Sequence, residues 1–378
     1  MRPARLAQQG VVNRRDRVRH QASAPAVPMH SGRPWRAFEA FIHAGQTVRI
    51  IANYQPPMPP TDRPARPLIV RLRNWVGDVT LAVPTLQRLA DAGHDLQLVG
   101  KGWAGDLLAG HGWPVHTLGS SRGSRVQQLR TLRQAAHAAD SHTSERLNAV
   151  CFPDSFSSAL DFRLAGLRAL GHAYEGRSLL LGRAVARPAG VHELAVYWQL
   201  ADSLLGWQAP LPTDIGLCLS PAHHAQAQAL RAAHGIEPGC IVICPFAGGT
   251  WNQQDKTWPQ FTQLVARELP ALGRRIVICP GPGEEAIASE HFAAATMLPS
   301  VGLGAYAALL ADAALMISND TGPGHMAAAV GTPLVSVHGP SDPALWRPWG
   351  PNVHLLGGQG RWPGLDEVVH AAQLLLAR

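Results

Sequence analysis

Ser318-Asn319-Asp320-Thr321-Gly322-Pro323-Gly324-His325-Met326-Ala327-Ala328-Ala329-Val330-Gly331-Thr332-Pro333 follows the short apolar run Leu315-Met316-Ile317. An apolar run, a glycine-bearing turn and a run of small residues describe a strand, a tight turn and a helix pressed against a sheet. Glycine lets backbone approach a ligand closely, and the free N–H groups of a helix start attract phosphate. Many nucleotide folds carry such a turn, so alone it leaves two readings open. In one, Asp320 to His325 hold a phosphate; in the other, Asp320 caps the helix and His325 is satisfied within its first turn.

Working outward, the run Cys240 to Cys244 reads as a strand that opens into Pro245-Phe246-Ala247-Gly248-Gly249-Thr250-Trp251-Asn252-Gln253-Gln254-Asp255-Lys256-Thr257-Trp258-Pro259. The chain has 31 Arg and only two Lys, Lys101 and Lys256. Against that bias, Lys256 suits a task for a compact point charge, such as contact with a diphosphate. A further strand, Arg275 to Cys279, ends at Pro280-Gly281-Pro282-Gly283-Glu284-Glu285, where a carboxylate can accept from ribose hydroxyls or cap the next helix. Helices are expected at 261–269, 284–292, 305–311 and 324–330, a strand at 334–337, and a closing helix from Asp366 to Arg378.

The same alternation fills the first half. Strands are expected at 68–72, 95–99, 115–118 and 149–152, and helices at 80–92, 103–109, 124–139, 158–170 and 187–205. Two alternating halves predict an α/β protein with two Rossmann-like, doubly wound domains facing across a cleft. The expected boundaries are an extension over 1–66, a first domain over 67–220, a linker over 221–238 and a second domain over 239–378. At the first strand end, Arg73-Asn74-Trp75-Val76-Gly77-Asp78 places Asp78 at the mouth of that cleft. A carboxylate there can take a proton from an attacking hydroxyl; it can also cap the helix expected from Thr80.

Charge narrows the class. Residues 1–66 carry eleven Arg against Asp16, Glu39 and Asp62, a balance of +8, so the rest of the chain sums to about −1. That distribution excludes a nucleic-acid groove spread over the fold. The extension reads either as a solvated leader or, through the weakly amphipathic stretch 36–51, as a contact for anionic lipid. It ends in a stiff, proline-rich segment at 55–67. No apolar run reaches the roughly 18 residues needed to cross a bilayer. Five cysteines lack metal-type spacing, and Cys240 and Cys244 fall on one face of a buried strand.

Four patches in order resemble a known family. They are Arg73-x-x-x-Gly77-Asp78 with Pro84; Lys256-x-Trp258-Pro259; Asn319 to Pro333; and Gly339-Pro340-Ser341-Asp342-Pro343 with Pro348 and Gly350. The chain from about 67 to 378 is similar to glycosyltransferase family 9, the ADP-heptose:lipopolysaccharide heptosyltransferases, and the resemblance implies their GT-B fold. It implies an inverting transfer of heptose from ADP-heptose to a lipopolysaccharide core acceptor, with Asp78 as general base. Thr250, Lys256, Asp320, Thr321, Gly322 and His325 would hold the donor diphosphate, and Glu284 or Glu285 the ribose. Phe152 to Leu160 with Gly176-Arg177 looks like the acceptor-side segment, so Arg73, Ser155, Ser158 and Arg177 are the acceptor candidates. The same resemblance implies no essential metal or other cofactor; the charge distribution argues against a nucleic-acid partner, the odd number of cysteines without paired spacing points to a reducing cytoplasm, and a monomer at or near the inner membrane face is expected. The basic extension and the plain Gly248-Gly249-Thr250 loop depart from the pattern. Another nucleotide-sugar donor, an epimerase on the same fold and a non-catalytic nucleotide-sugar-binding scaffold are the competing readings.

Overall fold

The computed structural model describes residues 66–377 apart from Glu145 and Gly249. The extension up to residue 65, including the stretch 36–51, lies outside the described residues. A first parallel sheet is built from β1 (Arg66–Arg71), β2 (His94–Gly100), β3 (Val115–Thr117), β4 (Ala149–Cys151), β5 (Ala169–Ala173) and β6 (Arg183–Ala186). Its helices are α1 (Val76–Asp91), α2 (Trp103–Leu108), α3 (Arg122–Ala139), α4 (Phe156–Ala165) and α5 (Glu193–Leu205). Helix α6 (Pro221–Ala233) then leads to a second parallel sheet of β7 (Ile241–Cys244), β10 (Ile276–Ile278), β11 (Thr296–Met297), β12 (Leu315–Asn319), β13 (Leu334–His338) and β14 (Val353–Gly357). A small hairpin, β8 (Thr250–Trp251) and β9 (Gln254–Asp255), follows β7. The remaining helices are α7 (Phe261–Gln263), α8 (Glu285–His291), α9 (Leu303–Ala311), α10 (Gly322–Ala329), α11 (Pro343–Trp346) and α12 (Leu365–Leu376).

The strand orders are β3-β2-β1-β4-β5-β6 and β11-β10-β7-β12-β13-β14. Both are the doubly wound order in which connections reverse direction beside the first strand, so each half has its ligand crevice at the carboxyl ends of that strand and its reversed neighbour. Those pairs are β1 with β4 and β7 with β12. Two such halves make the GT-B arrangement expected from the sequence. The central strands are covered on both faces, which is why Leu68-Ile69-Val70 and Ile241-Val242-Ile243 are fully buried and read as unbroken apolar runs. Cys240, Val242 and Cys244 join one apolar cluster and Ile241 and Ile243 the other, so the two cysteines do share a strand face.

Several expected boundaries need correction. Helix α1 begins at Val76, with extended Trp75 at its N-cap position, so Asp78 lies inside the first turn and is not a cap before Thr80. Helix α4 stops at Ala165 because Gly166 turns left-handed (φ 78°), and β5 follows where helix was expected to continue. The stretch expected to be helical from 187 yields a helix only from Glu193. Residues 221–238, expected as a linker, hold α6, which packs on α9. The closing helix α12 lies against β12, β13 and β14 of the second sheet.

Candidate functional site

The second-half wall forms after β7 and β12. Asn319, the last residue of β12, accepts from the Trp258 backbone N–H (3.1 Å) and donates to the Pro245 carbonyl (2.5 Å). One amide side chain thus ties together the end of β7, the loop that carries Lys256 and the start of the 319–333 motif. Trp258 is buried, and its indole N–H donates to Pro363 O (3.1 Å), which anchors the loop two residues from Lys256. The Lys256 ammonium donates to Asp320 O (2.8 Å) and lies 3.5 Å from Asp320 Oδ2.

Asp320 does not cap α10. The N-cap position belongs to Thr321, in extended conformation and without a side-chain cap; the Gly322 N–H has no partner among the described residues, Pro323 has no N–H, and Gly324 N–H donates to Thr321 O (3.1 Å). Burial pushes the Asp320 carboxyl up, but His338, Lys256, His325 and the Ser341 hydroxyl outweigh it, and its pKa ends below the usual range. His325 is buried; burial takes its pKa down to about 4, so it is neutral near pH 7, and its Nδ1 has no hydrogen-bond partner among the described residues. Thr250 is exposed in the β8–β9 hairpin. Glu284 Oε2 accepts from Gly281 N–H and Glu285 Oε2 from Gly283 N–H, both at 2.8 Å. The two glutamates therefore brace the turn after β10.

The first-half wall gathers charges that lie far apart in sequence. Asp78 Oδ1 accepts from the Tyr197 hydroxyl (2.6 Å) and lies 3.9 Å from Arg73 Nε. Burial raises the Asp78 pKa, and the Tyr197 hydrogen bond and the Arg73 charge offset part of that rise. Arg73 Nη2 also reaches Asp154 (2.6 Å) and Glu193 (3.1 Å), and Arg187 pairs with the same two carboxylates. Burial alone would lower the Arg73 pKa; Tyr197, Glu193, Asp154 and Asp78 together raise it. Ser155 caps α4, taking the Ser158 N–H (3.4 Å) and facing the Ser158 hydroxyl at 2.7 Å.

Arg177 corrects an expectation. It is fully buried, and its guanidinium donates to the main-chain carbonyls of Pro153, Ser155 and Cys151. It shapes the loop that presents Ser155 and is not itself presented to an acceptor. Arg187, Glu193 and Tyr197 were missed from the sequence. Glu193 and Tyr197, four residues apart, lie on one face of α5, and both fall within an otherwise apolar stripe.

The walls meet at the first turns of α1 and α10, neither of which has a side-chain N-cap. A Cβ on Gly77 would come within 2.8 Å of the His325 ring, and one on Gly322 within 2.9 Å of Val76 Cβ. His192, at the N-cap of α5, hydrogen-bonds Arg347 O (2.9 Å) and packs on Trp349 (centroids 4.8 Å apart). Trp349 donates to Pro212 O (2.9 Å), and Asp106 of α2 accepts from the Gly304 N–H at the start of α9 (2.8 Å). Among the described residues no group of three or more His, Cys, Asp or Glu is placed to hold a metal ion, and no helix is long and apolar enough to cross a membrane.

An uncapped helix start beside a lysine in one doubly wound half thus meets, at the first turn of α1, a carboxylate-bearing turn of the other. A model of glycosyltransferase family 9 (heptosyltransferase) matches residues 148–369, more than half of the chain, and the chain belongs to that family. It is 33% identical over 136 residues to lipopolysaccharide heptosyltransferase 3 of Escherichia coli K12, covering 32% of this chain and 37% of that protein. It is 38% identical over 107 residues to lipopolysaccharide heptosyltransferase 1 of the same strain, covering 27% and 33%. The matched segments thus span about a third of these relatives' length. The structure of E. coli ADP-heptose LPS heptosyltransferase II superposes with a TM-score of 0.64 at 22% identity, covering 82% of this chain and 98% of that one. A family 9 glycosyltransferase from Veillonella parvula superposes with 0.69 at 18%, covering 84% and 98%. At these identities the superpositions speak for the fold.

Proposed function

We propose that the protein is an inverting glycosyltransferase that moves heptose from ADP-heptose to a lipopolysaccharide core acceptor carrying lipid A and Kdo or heptose. The observation that supports this reading is the meeting of α1 and α10 at their first turns, where the turn that carries Asp78 contacts the turn that follows Asp320. The second half (239–378) is assigned the donor: Lys256 and the N–H groups of Thr321 and Gly322 at the α10 start receive the diphosphate, with Asp320, His325 and Thr250 lining it. Glu284 or Glu285 meets the ribose. The first half (67–220) is assigned the acceptor, with Arg73, Ser155 and Ser158 at its edge and the lipid-bearing acceptor met at the inner membrane face.

In the transfer, Asp78 accepts the proton of the attacking hydroxyl as the new C1–O bond forms. The C1–O bond to the diphosphate breaks, and the leaving ADP carries the electron pair, stabilised by Lys256 and the α10 dipole. No resident metal or other cofactor is assigned to the cycle.

ADP release from ADP-heptose, measured with and without a core acceptor, tests the reading. Asp78→Ala is expected to lower turnover by about 10²-fold or more, the range of general-base loss, while ADP binding survives. Thermal shifts should favour ADP over UDP and GDP; a preference for UDP or GDP would move the donor assignment to another nucleotide sugar. Acceptor-independent inversion of the sugar would make the protein an epimerase.

A further inference from the structure

Asp78 takes both of its polar contacts on one oxygen. The Tyr197 hydroxyl at 2.6 Å and Arg73 Nε at 3.9 Å both address Oδ1, and among the described residues no hydrogen bond reaches Oδ2. Tyr197 is itself fixed. It is fully buried on α5, one turn after Glu193, and its ring packs at 5.3 Å from Phe152, the residue after β4. The Arg73 guanidinium, 5.7 Å from the centre of that ring, is clamped by Asp154 and Glu193. Helix α5 thus delivers two polar side chains from one face: Glu193 holds Arg73, and Tyr197 holds Asp78.

We infer that Tyr197 is a positioning residue for the transfer, holding Asp78 Oδ1 so that Oδ2 is presented to the acceptor hydroxyl. The inference rests on Asp78 being the base. As the acceptor oxygen bonds to the sugar C1 and the diphosphate leaves with its electron pair, the hydroxyl proton moves to Oδ2. The Tyr197 proton stays on the phenol throughout, so the tyrosine enters no bond change. A hydrogen bond to the ionised carboxylate favours that form, and here it opposes the burial that works against ionisation. The other charges facing Asp78 are Arg73 and Arg187, which favour its ionised form, and Asp154 and Glu193, which disfavour it.

Tyr197→Phe removes one oxygen and keeps the ring. The acid limb of kcat/KM is expected to move up by about one pH unit, the scale of removing one hydrogen bond to a carboxylate. One unit below the original limb the rate then falls about 10-fold; above both limbs it recovers to within about 3-fold of the parent, and the ADP Kd does not change. A limb that stays in place, whether the rate falls uniformly or not at all, overturns the inference. Asp78→Asn, measured in parallel, separates this from the reading beneath it. If Asp78→Asn keeps parent turnover, the base assignment fails; if it collapses while the Tyr197→Phe limb stays put, only the positioning role fails. Retained circular dichroism and melting behaviour of both variants exclude misfolding as the cause.

Discussion

Adding one methyl group at Gly322 tests whether the two halves meet as closely in the working enzyme as they do here. An ideal Cβ on Gly322 falls 2.9 Å from Val76 Cβ and 3.3 Å from Val76 Cγ1. Carbon atoms pack best at roughly 3.5–4.0 Å, so Gly322→Ala is short by about 0.6–1.1 Å. The obstacle is the stem of a side chain at the first residue of α1, which no rotamer change moves. Gly322 is not among the glycines with positive φ, so alanine brings no backbone strain and the effect is steric alone. Either the first turn of α10 withdraws from α1, or the contact carries an overpacking strain of about 1–3 kcal/mol.

A displacement near 1 Å between donor and base costs on the order of 10²-fold in rate. Gly322→Ala should therefore lower kcat by about that factor, with a melting temperature several degrees lower. Combining it with Val76→Gly removes the clashing atoms and should recover much of the kcat, seen as coupling in a double-mutant cycle. Parent-like kcat and melting temperature for Gly322→Ala would refute the close approach of α1 and α10.

Lys256→Ala should weaken ADP binding by about 30- to 100-fold by calorimetry, the scale of removing one charge-assisted hydrogen bond; an unchanged Kd would remove Lys256 from the donor site. Asp106→Ala leaves the α9 start without its cap from the other half and should cost about 1 kcal/mol in denaturant unfolding. Acid should destabilise the fold through its buried imidazoles. His325, with a pKa of about 4 in the fold against 6.5 as a free side chain, binds its proton more readily once unfolded. Its contribution is whole above pH 6.5 and falls away as pH drops toward 4, by up to roughly 3 kcal/mol. His325→Gln should flatten the melting-temperature profile across that window, and an unchanged slope would show that His325 is not buried as a neutral group.

Much of the second-half wall was legible because its pattern is local in sequence. A strand, glycines and a run of small residues are contiguous, and Lys256 stood out against an arginine-rich background. Asn319 and Trp258 sat in the motifs, but their function of tying separate strand ends together is a contact over about 60 residues, which no local pattern encodes. The first-half wall was less legible. Glu193 and Tyr197 sit in a buried helical stripe, where their spacing looks like packing. Strands β5, whose first two residues were read as the end of a helix, and β6, which was not anticipated, are Ala169-Leu170-Gly171-His172-Ala173 and Arg183-Ala184-Val185-Ala186. They hold one β-branched residue between them, and their pairing with β4 and with each other overrides that weak propensity. Arg177 was expected at the acceptor side from the family resemblance alone; the main-chain carbonyls of Cys151, Pro153 and Ser155 draw it inward.

The way the carboxylates are engaged bears on which chemistry the cleft supports. An epimerase on this fold would need acidic groups free to work on both faces of the sugar. On the first-half wall Asp154 and Glu193 are each held by Arg73 and Arg187, which makes a charge-balanced square. On the second-half wall Asp320 is held by Lys256 and kept ionised. An ammonium has three N–H donors; two are directed to Asp320, which leaves one for a ligand while the Asp320 pairing holds the head group in place. Asp78 differs, with one oxygen held and the other without a protein partner among the described residues. One available carboxylate opposite one fixed cation fits a reaction that removes a single proton and stabilises a single departing anion. That is the demand of glycosyl transfer, and it is half of what an epimerase would require.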